Sequence, residues 1–333
     1  MAQVLSGMKK PRPRRANKET LSVTRTFGAP RERVWEAWID PAMVRRWWGP
    51  SGFTSPDIRI DLRVGGKYLF CMRSPDGKDY WNTGVYREIV PMERLVATDS
   101  FSDEKGEVVP PSYYGMTGDM PMELLATLTF QEQEGKTKFT IEYEGFPPGE
   151  MAVLAKAGWN QSLDKLADLL VEEEAGTGKP IIIADEGRPD ATLVRIFDAP
   201  QERIFRAYTE PDLIQRWWGP RRLSTVVDRL EAGPGGSWRF LNRDAAGNEY
   251  WFHGVFHEVS PARIVQTFEF EGMPGHAMLG VVTLVDMGGK TKLTSKSIFE
   301  SVGDRDGMLA TGKDGWLESM DRLAELVEEP ETR

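Results

Sequence analysis

The 333 residues hold one cysteine, Cys71, which excludes an internal disulfide and any cysteine-rich zinc site. It stands in the apolar run Tyr68-Leu69-Phe70-Cys71-Met72, where a buried, inert thiol is expected. Histidine is nearly as scarce. His253, His257 and His276 all lie in the second half of the chain, so no histidine mechanism can serve both halves. His253 and His257 are four apart on an expected strand and point to one face. No third His or Cys joins them, and no metal site is expected. No apolar run approaches the ~18–20 residues needed to cross a bilayer. The first twenty residues lack an apolar stretch of signal-peptide length. The expectation is a cytoplasmic protein without a membrane span.

Motifs of chemistry are also missing. There is no Gly-x-Ser-x-Gly elbow, no phosphate loop and no dinucleotide fingerprint. Gly233-Pro234-Gly235-Gly236 is a tight turn, because Pro234 removes an amide that a phosphate cradle needs. The sequence therefore assigns no catalytic residue and no cofactor. Carboxylates such as Asp61, Glu88, Glu258 and Glu300 stay in play for acid–base work, and the sequence does not rank them.

The formal charge is −9 and unevenly spread. Residues 1–20 are basic, with Lys9, Lys10, Arg12, Arg14, Arg15 and Lys18 against Glu19, and they are expected to form a solvated, disordered tail. The acidic remainder argues against a nucleic-acid surface.

What the chain does have is a long internal repeat. Ala29-Pro30-Arg31-Glu32-Arg33-Val34-Trp35 returns as Ala199-Pro200-Gln201-Glu202-Arg203-Ile204-Phe205, and Arg46-Trp47-Trp48-Gly49-Pro50 as Arg216-Trp217-Trp218-Gly219-Pro220. Gly65-Gly66, Tyr80-Trp81, Gly84 and Pro91 return at 235–236, 250–251, 254 and 261. A period this long marks whole domains, placed at 21–173 and 191–329 with a linker at 174–190. Within the linker, Pro180-Ile181-Ile182-Ile183 is too apolar for free chain and is expected to pair on a sheet edge or against a domain.

Each copy opens with a β-branched strand and two short helices punctuated by proline, then about six strands separated by glycine turns. Each closes with a helix carrying one apolar-or-small stripe: Ala152, Ala155, Trp159, Leu163, Leu166, Leu170, and Leu309, Gly312, Trp316, Met320, Leu323, Val327. An antiparallel sheet with the long helix on its face is the economical packing.

These features together resemble the SRPBCC, or START-like, superfamily, in the branch homologous to the activator of the heat-shock-protein-90 ATPase. The resemblance is carried by the Ala-Pro-x-x-(Val/Ile)-(Trp/Phe)-x-Ala helix and the Arg-Trp-Trp-Gly-Pro block. The strands Gly66–Phe70 and Gly236–Phe240 and the Gly-Trp helix add to it. It implies an α+β fold of two tandem helix-grip domains, each a curved antiparallel sheet wrapped round a long C-terminal helix. It also implies an internal cavity that holds an apolar molecule.

The eleven tryptophans fit such a cavity wall. Candidate ligand-binding residues are Trp47, Trp48, Tyr68, Phe70, Trp81 and Trp159 in the first copy. In the second they are Trp217, Trp218, Trp238, Phe240, Trp251 and Trp316. The same rings could instead fill a core. Between Phe101 and Met120 the first copy has 18 residues where the second has two between Phe270 and Met273, an insertion that is either a lid over the cavity mouth or a surface loop. The expected function is binding of small apolar or amphipathic molecules. The alternatives are a cyclase- or hydrolase-type enzyme and a chaperone-regulating module. The last is disfavoured because the separate N-terminal domain of the eukaryotic activators is missing from the chain.

Overall fold

The computed structural model describes residues 20–116 and 120–329. The basic segment expected as a tail therefore lies, Thr20 apart, outside the described residues. The chain divides between Leu170 and Val171 into two compact units. The first copy runs β1 (Thr20–Phe27), α1 (Arg31–Ile39), α2 (Pro41–Trp47), β2 (Ile58–Ile60), β3 (Lys67–Arg73), β4 (Asp79–Val90), β5 (Arg94–Ser102), β6 (Leu124–Gln133), β7 (Lys136–Glu144) and α3 (Glu150–Ala175). A short strand, β8 (Ile181–Ile183), follows. The second copy runs β9 (Asp190–Phe197), α4 (Gln201–Thr209), α5 (Pro211–Trp217), β10 (Ser224–Leu230), β11 (Ser237–Arg243), β12 (Glu249–Ser260), β13 (Arg263–Phe270), β14 (Met278–Asp286), β15 (Thr291–Ile298) and α6 (Val302–Glu328).

The sheets have orders β1-β7-β6-β5-β4-β3-β2 and β10-β11-β12-β13-β14-β15-β9-β8, antiparallel at every pairing. The two copies are tandem helix-grip domains. The isoleucine run takes the edge position the sequence suggests, pairing with β9.

The duplicated blocks have structural reasons. Asp40 accepts hydrogen bonds from the amides of Ala42 (2.7 Å) and Met43 (3.1 Å), capping α2, while Pro41 fills its first turn without losing a bond. The first tryptophan of each Trp-Trp pair ties the two short helices together. Trp47 Nε1 donates to the Ala37 carbonyl (2.9 Å), and Trp217 Nε1 to that of Ala207 (2.8 Å). Gly49 and Gly219 then turn the chain at φ +88° and +82°, a region that glycine enters without a Cβ penalty. A cation from the closing helix holds this turn. Lys165 Nζ donates to the carbonyls of Gly49 (3.0 Å) and Phe53 (3.1 Å). Arg322 donates to those of Gly219 and Arg216, each at 2.7 Å.

Both sheets carry an equivalent bulge, between Tyr86 and Glu88 and between Phe256 and Glu258. Just before it, Gly84 and Gly254 lie beneath the Tyr68 and Trp238 rings. A Cβ there would come within 1.8 and 1.9 Å of the Thr98 and Thr267 carbonyl oxygens. The glycines thus let a large ring lie flat on the concave face.

The helix stripes divide in two. Leu163, Leu166 and Leu170 in α3, and Met320, Leu323 and Val327 in α6, are all buried. Ala152, Ala155 and Trp159, and Leu309, Gly312 and Trp316, are only partly so. In both copies the last half of the helix closes on the sheet and the first half leaves its inward stripe accessible.

Candidate functional site

The sheet faces are fixed by register, because cross-strand partners share a face. In the first copy Tyr68, Phe70 and Met72 pair with Gly84, Asn82 and Tyr80 on the face toward α3. In the second, Trp238 and Phe240 pair with Gly254 and Phe252. Beneath the first half of α3, Trp159 lies 5.3 Å from the Trp48 ring, 6.0 Å from Trp38 and 6.2 Å from Tyr143. Trp48 is edge-on to Phe70 at 4.8 Å, and Phe70 meets Tyr68 at 4.8 Å.

The second copy assembles a comparable box. Trp218 lies 5.2 Å from both Phe240 and Phe252, Phe252 is 5.4 Å from Phe268, and Phe270 is 5.0 Å from Phe252. Trp218, Phe252, Phe268 and Phe270 all remain partly exposed although they point inward, while Trp238 and Phe240 are buried. Trp316 makes no ring pair among the described residues and is itself partly exposed.

Of the twelve candidates, Trp48, Tyr68, Phe70, Trp159, Trp218, Trp238, Phe240 and Trp316 are thus gathered on the inner faces and the helix stripes above them. Four are placed elsewhere. Trp47 and Trp217 are fully buried between the short helices, spent on the carbonyl bonds described above. Trp81 pairs with Cys71 and Trp251 with Leu241, which turns both to the opposite face of their sheets. There the Arg239 guanidinium stacks 3.8 Å over the Trp251 ring.

A residue that sequence reasoning misses lies at the centre of the first copy. Asp99, on β5, accepts from Tyr68 Oη (3.0 Å) and Asn82 Nδ2 (3.1 Å) at Oδ1, and from Tyr143 Oη (3.0 Å) at Oδ2. Protein atoms surround it, yet part of its surface remains accessible to water. Burial pushes its carboxyl above the usual range, and the three donors pull it back in part. Burial and the adjacent carboxylate push the Tyr68 and Tyr143 hydroxyls well up, so both are donors at neutral pH. Trp48 Nε1 and Asn82 Oδ1 are buried with no hydrogen-bond partner.

Both chain segments match one family model, described as Activator of Hsp90 ATPase homolog 1-like protein, over residues 28–171 and 198–328. The chain belongs to that family. No curated protein matches it. Among solved structures it is similar to a protein of Chromobacterium violaceum, at 31% identity over 45% of this chain and 96% of the other, with a TM-score of 0.38. The AHSA1 protein of Silicibacter pomeroyi is similar at 23% identity over 46% and 99%, TM-score 0.39. A protein of Arthrobacter aurescens is similar at 22% identity over 45% and 92%, TM-score 0.43.

Within this activator-homologue frame the two copies differ at the inner site. Thr98 and Thr267 hold equivalent places, each accepting the amide of the residue after the flattened glycine, Val85 (3.0 Å) or Val255 (2.9 Å). The next residue is Asp99 in one copy and Phe268 in the other. Tyr68 is matched by Trp238, and Asn82 by Phe252. Thr137 and Thr291 bond the Ala29 and Ala199 carbonyls alike, which aligns Tyr143 with Ser297. A hydrogen-bonded carboxyl cluster in the first copy is a ring cluster in the second.

The carboxylates raised by the sequence stand apart from this site. Asp61 pairs with Arg63, Glu88 with Arg94 and Glu258 with Arg263, all at the surface; Glu300 is exposed. His253 lies 3.6 Å from both Glu269 and Glu271, while His257 is the extra residue of the bulge and exposed. Among the described residues no group of three His, Cys, Asp or Glu could hold a metal ion. No helix among them is long and apolar enough to cross a membrane. Cys71 is buried, and burial pushes its thiol up to about 12.

Part of the insertion of the first copy packs onto its domain. Tyr114, in the short 3-10 turn Pro111–Tyr114, is buried with its ring 5.2 Å from Tyr80 and 5.9 Å from Phe101. Its hydroxyl donates to the Ser102 carbonyl (2.6 Å) and accepts from the Trp81 amide (3.0 Å). Two open surface grooves are lined mainly by charged and polar groups, one around Arg195, Arg221 and Glu325, the other around Arg31, Glu93 and Arg94. Neither is lined by any of the twelve candidate rings.

Proposed function

We propose that each copy binds a small apolar or amphipathic molecule between the concave face of its sheet and the first half of its closing helix. One observation carries this reading. In both copies the inward stripe is buried over its second half and partly accessible over its first; in the second copy the inward rings Trp218, Phe252, Phe268 and Phe270 opposite it are also partly accessible, while in the first Trp48, Tyr68 and Phe70 are buried and Trp159 on the stripe is the partly accessible ring. Large rings with a few polar tips are the usual lining of small-molecule sites. Trp48, Tyr68, Phe70 and Trp159 would line the first site, and Trp218, Trp238, Phe240 and Trp316 the second. A fold that leaves apolar surface open on its inner side gains from a ligand that covers it.

Native mass spectrometry of protein purified without denaturant tests the reading. A bound molecule of a few hundred daltons, released on unfolding, supports it. No bound molecule, together with no saturable uptake of decyl-chain probes, overturns it.

Asp99 favours a second reading, acid–base chemistry on such a ligand. A carboxyl raised by burial and held among hydrogen-bond donors is suited to proton transfer. Turnover of the bound molecule, lost in Asp99→Asn, would select this reading over simple binding.

A further inference from the structure

We infer that the inner site of the first copy selects an amphiphile with a hydrogen-bond-donating, positively charged head, in the simplest case a primary amine. The inference rests on the ligand-binding reading above and narrows it to a chemical class. Three neutral groups satisfy part of Asp99: the Tyr68 and Tyr143 hydroxyls and the Asn82 amide. No lysine, arginine or histidine contacts the carboxyl among the described residues. The two tyrosines that bond it belong to the ring cluster, Tyr68 through Phe70 and Tyr143 through Trp159. A carboxylate in such a place lacks a counter-charge, and that is costly in an apolar interior.

An ammonium head supplies the missing charge. It also brings three N–H donors and no acceptor. The free lone pairs of Asp99 can take one. Asn82 Oδ1, buried with no partner on an amide already bonded to Asp99, can take another. The faces of the neighbouring indoles favour a cation as well. A carboxylate head would be repelled by Asp99 and would leave Asn82 Oδ1 unpaired. A hydroxyl head falls between, offering one donor and no charge.

The second copy is an internal control. Phe268, Phe252, Trp238 and Ser297 stand where Asp99, Asn82, Tyr68 and Tyr143 stand, so nothing ionisable occupies those positions. Its site should be indifferent to the charge of the head group.

The test is calorimetric titration of the full chain at neutral pH with decylamine, decanol and decanoate, each below its micelle concentration. Charge-assisted hydrogen bonds predict decylamine binding about tenfold or more tighter than decanol, with decanoate weakest. Asp99→Asn should remove most of the preference for decylamine over decanol. Equal affinities for the three heads, or an amine preference that survives Asp99→Asn, would overturn the inference and leave the ligand-binding reading standing. Failure of all three to bind would remove that reading, and this inference with it. Should Asp99→Asn not fold, the carboxyl carbon of Asp99 in the natural chain carries the same test by NMR. Its resonance should move more with decylamine than with decanol; equal movement with the two would count against the inference.

Discussion

The Tyr143 hydroxyl donates to Asp99 Oδ2 at 3.0 Å, reaching from β7 across β6 to β5 on the concave face of the first sheet. Two groups that a surface strand would turn to water instead face each other inside the fold. Removing the donor should therefore have a measurable cost. Tyr143→Phe is expected to destabilise the first domain by about 1–3 kcal/mol, the cost of leaving a buried acceptor short of one bond. Chemical denaturation followed by a first-domain probe measures it. A loss under about 0.5 kcal/mol would mean that water already serves the carboxyl.

Asp99 also makes a prediction in pH. Its carboxyl is raised in the folded state, with desolvation the main cause. Between the unfolded and folded pKa the native chain then holds the proton more tightly than the unfolded chain, so stability falls as pH rises through that window. The natural chain should lose stability relative to Asp99→Asn as pH rises above the ordinary aspartate value of about 4. Paired denaturation curves across that range check the sign, and a difference that stays flat or reverses would refute it.

The clamp on the Trp-Trp-Gly turn is testable in the same way. Lys165→Ala strips the carbonyls of Gly49 and Phe53 of their shared donor, and Arg322→Ala does likewise for Gly219 and Arg216. Each should lower the stability of its own domain by about 1–3 kcal/mol, measured by chemical denaturation. Burial lowers the pKa of Lys165 from its ordinary value, as expected for an ammonium held among carbonyls rather than in water.

Much of this architecture is legible in the sequence. The repeat, the order of elements and the face of each closing helix follow from spacing alone. How deeply each ring is covered does not. Trp316 lies on the stripe with Met320 and Leu323 and reads as equally buried, at a cost near 3–5 kcal/mol on truncation. Periodicity gives a direction and carries no information about the gap in front of it. Trp81 and Trp251 read as wall residues yet lie on the outer faces, because the phase of a strand is set by its partner, here through the pairs Cys71–Trp81 and Leu241–Trp251. Asp99 escapes notice because an aspartate in a strand reads as solvent-facing. The signal for it lies in the second copy, where a phenylalanine holds the same position.

The observed burial predicts unequal costs along one helix. Leu323→Ala, at a fully buried position, should cost about 2–5 kcal/mol. Trp316→Ala should cost less, about 1–2 kcal/mol, because its ring is only partly covered at the edge of the core. Thermal or chemical denaturation of the two variants checks the order, and a Trp316 cost equal to or above that of Leu323 would mean the first half of the helix is closed.

Cys71 should be silent toward thiol reagents in the folded chain, since burial hides it and pushes its thiol up to about 12. Titration with a chromogenic disulfide should be slow in buffer and complete in denaturant. Rapid reaction in buffer would place the residue at the surface.

Entry of ligand beneath the first half of each closing helix is the claim on which the functional reading depends. The most direct measurement is the indole N–H region of an NMR spectrum during titration with a decyl amphiphile. Shifts are expected at Trp48, Trp159, Trp218 and Trp316, with Trp81 and Trp251 unmoved on the opposite faces. Shifts confined to Trp81 and Trp251, or no shift at any indole, would contradict it.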